Sequence, residues 1–439
     1  MSRFERPDHD EDIWIAGGRV WDPASGVEAP GGAVWIEGGR IRAVVPAGVT
    51  PPARVPVFDA SGCWVLPGLI DLHVHLRDPG NTAAEDLASG TRAAVAGGFT
   101  TVCAMPNTTP PPDSPERIRE QVARLANEAC CRAHCVGAAT VDRAGRLAAD
   151  LVGGRAAGAV AFSDDGDAVA DPGVLREVLA RCRACGAVFS DHCERVELSR
   201  RHPLAEGEVA RRLGVPGQPW TAETVQLAQG ILLSAETGAR YHAQHLSSRH
   251  SVELVRWAKE RGFPVTAEVT VHHLALTAEA VAVHGSDAKC APPLRDEADR
   301  LALCEGVRAG VIGAIVTDHA PHPPERKAAG LAAAPFGVIG LETALAVLHG
   351  LSLRGELAFE DALTALTASP AAIYGLTDRG RLAPGQVGDV TVFDPKEPWI
   401  PAAPFVSKSR NSPFTGSPQE GRVRATFVRG CRVYDASAG

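Results

Sequence analysis

The stretch LPGLIDLHVHLRDPG, residues 66–80, decides the fold. It begins as a continuous apolar run, which is typical of a β-strand buried on both faces, and it continues through His73 and His75 to Arg77. Because side chains alternate along a strand, the two histidines point the same way. Two imidazoles at the end of a buried strand can bind one metal ion, and the nearby arginine can hold an anionic substrate beside it.

The region that follows repeats a strand and then a helix-like stretch. Alanine-rich amphipathic segments such as AAEDLASGTRAAVAGG and SVELVRWAKERG separate the strand candidates. These candidates begin at Gly68, Thr100, Arg132, Gly158, Ala187, Ala239, Pro264 and Gly313. Eight such units predict an α/β fold, a (β/α)8 barrel of the TIM type.

Short strand-like runs with glycine-rich turns occupy both ends of the chain. They cover residues 12–65 and return in GDVTVFD and VRATFVRGCRVYD near the C-terminus. The two ends together predict one small β-sandwich. We therefore expect residues 1–65 to form its N-terminal part, residues 66–384 the barrel, and residues 385–439 its C-terminal part.

Composition restricts the class of partner. The 439 residues carry a formal net charge of -8, which argues against non-specific binding to nucleic acid or an anionic membrane and favours a small-molecule substrate. The first residues show no secretory signal and no apolar run is long enough to span a bilayer, so we expect a cytoplasmic protein. The eleven cysteines are then reduced, and Cys182 and Cys185 are interpreted as helix residues rather than zinc ligands.

Polar side chains cluster at the predicted carboxyl ends of the strands, where barrels of this type place their chemistry. They are His73, His75, Asp164, Asp165, His192, His245 and Asp318. Histidines and carboxylates without paired thiolates favour zinc, or another divalent first-row ion, in an open catalytic site. Four histidines and two carboxylates suffice for two ions if one carboxylate bridges them. We interpret His242, His272 and His273 as packing residues or as contacts around this site.

Such a site predicts hydrolysis. Two ions would hold a hydroxide at neutral pH, because metal binding lowers the pKa of water to about 7. This metal-bridging hydroxide would be the nucleophile. A carboxylate that touches both metal and water can move the proton to a leaving nitrogen, and Asp318 is our candidate for this general acid/base.

Taken together, these motifs resemble the class I bacterial dihydroorotases of the amidohydrolase superfamily. The resemblance runs along almost the whole chain, through PGLIDLHVHLRDPG, GGFTTVCAMPNT, FSDDG, HLSS, VTAEVTVHHL, KCAPPLR, TDHAPH, APFGVIGLE and SKSRNSPFTG. It implies interconversion of N-carbamoyl-L-aspartate and L-dihydroorotate in de novo pyrimidine biosynthesis, with one or two zinc ions per chain.

The resemblance also implies a role for each site residue. His73 and His75 would bind one metal and His192 and His245 a second, with Asp165 between them and Asp318 as both ligand and acid/base. His75, Arg77, Asn107 and His322 would contact substrate, and the backbone at Phe336 and Gly337 would contact the ring. A bidentate guanidinium such as that of Arg77 matches a carboxylate.

Two alternatives stay open. Hydantoinases, dihydropyrimidinases and allantoinases resemble this pattern, but they use a carboxylated lysine at the bridging position, and GAVAFSDDG contains no lysine. Some dihydroorotase-like chains are inactive structural partners of aspartate carbamoyltransferase that have lost metal ligands, whereas all six ligand positions are occupied here. A homodimer is the expected assembly, and a complex with aspartate carbamoyltransferase is the family-based expectation.

Two positions depart from the family pattern, and one segment has the composition of a lid. Ala291 stands where the family often has a substrate-contacting asparagine, and Val271 replaces a frequent proline. An alanine side chain cannot donate the hydrogen bond of the asparagine. Residues 322–337, HPPERKAAGLAAAPFG, have the alanine and glycine content of a mobile lid.

Overall fold

Eight parallel strands form a barrel at the centre of the computed structural model, which describes residues 3–438. Barrel strands 1 to 8, in chain order, are Leu69–Val74, Phe99–Ala104, Arg132–Ala138, Ala161–Ser163, Val188–Asp191, Arg240–Ala243, Val265–Thr270 and Ala314–Val316. Each strand pairs with its neighbours in sequence order. A parallel bridge between Val74 and His319 joins the last strand to the first. The predicted (β/α)8 barrel is confirmed.

Helices follow the strands, and several of them begin at a side chain that caps the first turn. Asp86 forms a capping box with Ser89, and Ser114, Ser248 and Asp296 accept backbone N–H groups at three further helix starts. The helices are Leu87–Ala96, Pro115–Glu128, Leu151–Ala156, Pro172–Cys185, Val196–Ser199, Glu208–Leu213, Thr221–Thr237, Arg249–Glu260, Val271–Ala275, Glu279–His284, Glu297–Arg308, Pro324–Lys327, Ala344–Leu353, Phe359–Ala365 and Ala368–Tyr374. None of the helices within residues 3–438 is long and apolar enough to cross a membrane.

Strands from both termini form a second sheet. They are Ile13–Asp22, Val27–Glu37, Arg40–Val45, Val57–Asp59, Trp64–Pro67, Val390–Trp399, Gln419–Val428 and Cys431–Asp435. All eight belong to one hydrogen-bonded sheet, in which Trp64–Pro67 pairs antiparallel with Val390–Trp399. The sheet buries its own apolar cluster, which includes Ile15, Val34 and Phe427. The predicted β module made from the two chain ends is confirmed.

The sheet leads directly into the barrel. Strand Trp64–Pro67 ends one residue before barrel strand 1 begins, with only Gly68 between them. A Cβ atom on Gly68 would overlap the side chain of Thr100 on barrel strand 2, so the close approach of the chain to that strand requires glycine here. The metal-ligand candidates on strand 1 are therefore fixed to both layers of the fold.

Candidate active site

Six side chains converge at the carboxyl ends of the barrel strands, around the carboxylate of Asp165. Its Oδ1 lies 3.3 Å from Nε2 of His73 and 3.5 Å from Nδ1 of His192. Its Oδ2 lies 3.5 Å from Nε2 of His75. The Nε2 atom of His245 is 3.9 Å from Oδ1, and Asp318 approaches from strand 8 to within 2.9 Å of His75. The structure thus brings together all six predicted ligands.

These side chains divide into two sets of three that share Asp165. One set is His73, His75 and Asp165, and the other is Asp165, His192 and His245. In each set the ligand atoms lie within 4.8 Å of one another, and all members are buried. Nitrogen and carboxylate donors in such groups suit a divalent first-row ion. Each set could therefore hold one metal ion, with the carboxylate of Asp165 belonging to both.

Two observations at His73 fit a cation at this position. Its Nε2 atom is fully buried and has no hydrogen-bond partner, which is costly unless a bound group uses the lone pair. Burial disfavours a charged imidazole, but the carboxylates of Asp165, Asp318 and Glu268 outweigh it and raise the pKa of His73 well above its usual value. The surroundings of this ring are therefore arranged to stabilise positive charge.

Two buried carboxylates that were not predicted from the sequence orient the candidate metal ligands. Glu268 accepts hydrogen bonds from Nδ1 of His73 at 2.7 Å and from Nε2 of His242 at 3.0 Å. Asp71 accepts from the backbone N–H of His73 and from the hydroxyl of Thr317, and so joins strand 1 to strand 8. Orienting contacts of this kind fix which ring nitrogen faces the metal. The signal in the sequence was an acidic residue inside an otherwise apolar strand, as in VTAEVT.

Glu194 performs the same task for His192. Its Oε2 atom lies 3.5 Å from Nε2 of His192, on the side of the ring away from Asp165. Glu194 follows barrel strand 5 by three residues and also lines the cavity. The dipeptide Cys193-Glu194 offered no periodicity from which this contact could be predicted.

The two aspartates of FSDDG have separate roles. Asp164 accepts hydrogen bonds from the backbone N–H groups of Ala139 and Thr140, at 2.9 and 3.0 Å, and from the Thr140 hydroxyl. Both of its carboxylate oxygens therefore bind the loop after barrel strand 3. Asp165 is the one that faces the histidines, so the geometry distinguishes two residues that the strand pattern alone left equivalent.

A cavity of about 180 Å³ opens beside these side chains. Arg77, Asn107, His322, Phe336 and Gly337, the predicted substrate contacts, all line it. An η nitrogen of Arg77 lies 3.5 Å from Nε2 of His322, which itself is 2.7 Å from the Phe336 carbonyl oxygen. Oδ1 of Asn107 accepts a hydrogen bond from Nδ1 of His75 at 2.8 Å, which leaves the side-chain NH2 group of Asn107 for another partner.

Three of the predicted site residues other than glycine adopt positive φ angles. These are Arg77 at 58°, His245 at 27° and Asp318 at 44°. Such backbone conformations are uncommon for residues with a Cβ atom and cluster at functional sites, where the surrounding structure maintains them. The strand ends are bent to aim these side chains into the cavity.

The remaining histidines near the site differ in part from expectation. His242 contacts Thr266 and Glu268, which is the predicted contact around the ligands. His272 and His273, the last residues of the strand candidate PVTAEVTVHH that begins at Pro264, instead lie in the short helix Val271–Ala275. That helix begins because the Thr270 side chain accepts the backbone N–H of His273 at 3.1 Å.

Comparison with known proteins identifies the family. A model of the family described as "Dihydro-orotase-like" matches residues 62–251. The dihydroorotase of Solibacter usitatus is 42% identical over 420 residues, which cover 95% of this chain and 97% of the relative. The chain belongs to the dihydroorotase family. Dihydroorotases of Citrifermentans bemidjiense and Aquifex aeolicus are 40% and 39% identical, over 97% and 96% of this chain and 100% and 98% of the relatives.

Solved structures with a similar fold include an L-hydantoinase and a dihydropyrimidinase. The L-hydantoinase of Arthrobacter aurescens has a TM-score of 0.87 at 25% identity and covers 97% of this chain and 96% of its own. The dihydropyrimidinase of Brevibacillus agri NCHU1002 has a TM-score of 0.83 at 21% identity, over 97% and 95%. The latter likeness establishes the fold alone.

Proposed function

We propose that this dihydroorotase-family chain interconverts N-carbamoyl-L-aspartate and L-dihydroorotate by opening and closing the cyclic amide. The observation that carries the proposal is that Arg77 faces the cavity without a carboxylate partner. Its guanidinium lines the cavity beside the ligand cluster and donates to the Pro321 carbonyl oxygen, yet within residues 3–438 it forms no ion pair with a carboxylate. A partly buried cation that faces a cavity without a carboxylate partner is unfavourable, so the site is built to receive a substrate carboxylate.

The substrate carboxylate and the ring would occupy different walls of the cavity. In this proposal the substrate carboxylate is bound by Arg77, by His322 and by the side-chain NH2 group of Asn107. The backbone at Phe336 and Gly337 contacts the ring. Burial lowers the pKa of Arg77 to about 10, with opposing contributions from Asp318 and Asp165, so the guanidinium remains charged at neutral pH. The carboxylate then directs the scissile amide towards the metal-binding side chains.

The proposed metal ligands are His73, His75, Asp165, His192, His245 and Asp318, and the proposed metal is zinc, as one or two ions per chain. When bound, the metal supplies a Lewis acid that polarises the amide carbonyl and lowers the pKa of water. Aspartate, rather than a longer carboxylated lysine, stands at the shared position, which disfavours a hydantoinase or allantoinase.

Asp318 is the proposed general acid/base. Burial opposes its ionisation, but His73 and His75 outweigh burial and hold the pKa of the carboxyl well below its usual value. The carboxylate is therefore ionised and able to take a proton from the attacking water. It would return that proton to the departing ring nitrogen, and ring closure would use the same steps in reverse.

An active enzyme is favoured over an inactive structural partner, because every proposed ligand position carries a suitable side chain. We propose a homodimer, and support comes from helix Thr221–Thr237, where Val225 and Leu232 are exposed and form an apolar groove with Trp257. A cytoplasmic location and a complex with aspartate carbamoyltransferase remain proposals from the family resemblance.

Steady-state kinetics on L-dihydroorotate and on 5,6-dihydrouracil, the same ring without the carboxylate, test the proposal. We expect kcat/KM for L-dihydroorotate to exceed that for dihydrouracil by at least about 100-fold, because one charge-assisted bidentate contact is worth about 3 kcal/mol. Equal values for the two rings would contradict the assigned role of Arg77 and the proposed substrate.

A further inference from the structure

Two of the five lysines of this chain are buried beside the cavity and bind backbone carbonyl groups instead of carboxylates. Lys289 is 2% exposed and Lys327 is 3% exposed. Among residues 3–438, the lysine that pairs with a carboxylate is Lys408, whose partner is Asp86. Burying an ammonium group is costly unless its N–H donors are satisfied, so these two positions require an explanation.

The carbonyl groups that satisfy both lysines belong to one segment, residues 331–337, which we call the ring loop. Nζ of Lys289 donates to the carbonyl oxygens of Leu331, Ala332 and Ala334, at 2.8, 3.2 and 2.6 Å. An ammonium has three donors, so this set satisfies Lys289 completely. Its Nζ also lies 4.3 Å from the centre of the Phe336 ring, within the range of a cation–π contact.

Lys327 completes the arrangement from the other end of the ring loop. Its Nζ donates to the carbonyl oxygens of Pro335 and Gly337, at 3.0 and 2.9 Å. Asn411 donates a second bond to the Gly337 carbonyl at 3.0 Å, and His322 contacts the Phe336 carbonyl at 2.7 Å. Six of the seven carbonyl groups of the ring loop therefore accept a side-chain hydrogen bond, five of them from the two lysines.

The ring loop forms part of the wall of the same cavity as Ala291, which stands where the family often has a substrate-contacting asparagine. Ala291, two residues after Lys289, lines the cavity together with Phe336 and Gly337. Its methyl group makes no hydrogen bond to a substrate. Recognition of the ring then depends on the shape of the ring loop, which has the alanine-rich composition of a mobile segment and is fixed from outside by charged donors.

We propose that Lys289 and Lys327 are positioning residues that set ring specificity by holding the ring loop against the cavity. The inference rests on the proposed function, since the ring in question is that of dihydroorotate. Neither lysine contacts the substrate. Each acts through the backbone at Phe336 and Gly337, in agreement with charge-assisted hydrogen bonds being about twice as strong as neutral ones.

The test uses the variants Lys289→Met and Lys327→Met, which keep the length of the side chain and remove its donors. Lys396→Met, at an exposed position in the terminal sheet, is the matched control. We expect KM for L-dihydroorotate to rise by about 10- to 100-fold in each buried variant with kcat changed less than about threefold, because a displaced contact costs up to about 100-fold. The preference for L-dihydroorotate over hydantoin should fall by a similar factor.

Hydrogen exchange measured by mass spectrometry supplies a readout independent of activity. Amides in and next to the ring loop should exchange faster in both variants, and those of the terminal sheet should not change. Unchanged exchange and unchanged KM would overturn the inference, as would a uniform increase across the whole chain in both variants. If Lys289→Met does not fold, Lys327→Met decides between these outcomes, because Lys327 makes two of the five lysine hydrogen bonds to the ring loop.

Failure of the proposed function and failure of the inference about the lysines give different results. An unmodified protein that does not turn over L-dihydroorotate would contradict the proposed function, while the exchange data would still report whether the lysines hold the loop. Normal turnover by the unmodified protein, with variants that match it in KM and exchange, would contradict only the inference about the lysines.

Discussion

Glu268 and His73 form a hydrogen bond of 2.7 Å, from Nδ1 of the imidazole to Oε1 of the carboxylate, with both side chains fully buried. Because Nδ1 donates, Nε2 carries the free lone pair and faces Asp165. The same carboxylate also accepts from the backbone N–H of His245 at 3.3 Å. One buried acid thus orients a member of each proposed metal-ligand set.

Replacement of Glu268 should weaken metal binding. Glu268→Gln keeps the shape of the side chain but removes the charge that orients His73, and we expect zinc affinity to fall by about 10- to 100-fold. Competition with a chromophoric chelator measures this directly. Glu253→Gln, at an exposed position on a barrel helix, is the control. Equal zinc affinity for Glu268→Gln and the unmodified protein would show that the contact is not needed.

Asp318→Asn should affect the chemical step. The amide retains hydrogen bonding but takes no proton from water, so we expect kcat to fall by about 10²- to 10⁴-fold while KM changes little. Metal content determined on the same sample separates loss of proton transfer from loss of a ligand. Asp361→Asn, away from the cavity, controls for the substitution. Retention of normal kcat with full metal would exclude Asp318 as the acid/base.

Arg77→Lys should impair carboxylate binding in particular. Lysine keeps the charge but lacks the planar pair of donors that matches a carboxylate. We expect KM for L-dihydroorotate to rise by about 10-fold or more, consistent with loss of one bidentate contact, and turnover of dihydrouracil to stay the same. Arg326→Lys, at an exposed position, is the control. An equal effect on both rings would mean that Arg77 has no special contact with the carboxylate.

Glu342 should make stability depend on pH. Burial and the charge of Glu85 raise the pKa of Glu342 to about 7, against the backbone N–H groups of Val406 and Ser407 and the charge of Arg3, which lower it. The folded protein keeps this proton up to about pH 7, whereas the unfolded chain releases it near 4.5. The contribution of this carboxyl to stability is therefore complete below pH 4.5 and is lost as pH rises through about 7.

Glu342→Gln cannot lose that proton, so it tests this dependence. Relative to the unmodified protein, the variant should gain stability between pH 5 and pH 8. Urea denaturation of metal-saturated protein at both pH values measures the change. A stability difference that is the same at pH 5 and pH 8 would contradict the assignment.

The fold was predictable because its signals are local and repeated. The barrel strands are short, mostly apolar runs separated by helices, several of which begin at a capping side chain, and all eight strand candidates match observed strands. The pairing of the two chain ends was predictable because both consist of short strand-like runs with glycine-rich turns. The boundary at His272 was less predictable, because a short helix capped by Thr270 depends on one side-chain hydrogen bond rather than on periodicity.

The site was predictable to the level of side chains that end a strand. His73 and His75 were predicted from their spacing, and Asp318 was predicted from its place in TDHAPH. The carboxylates behind them were not predictable, since Glu268 and Asp71 resemble ordinary strand residues and acquire a role only when distant strands meet. The same holds for Lys289 and Lys327, whose partners are backbone carbonyl groups that carry no signal in the sequence.

The most direct test of the central claim is turnover of L-dihydroorotate, hydantoin and allantoin by one purified sample on which metal content is also determined. The proposed function predicts preferred turnover of L-dihydroorotate by protein that contains one or two zinc ions per chain, and loss of activity when a chelator removes them. Bound metal with preferred turnover of hydantoin or allantoin, or metal-free protein without turnover of any of the three, would contradict it.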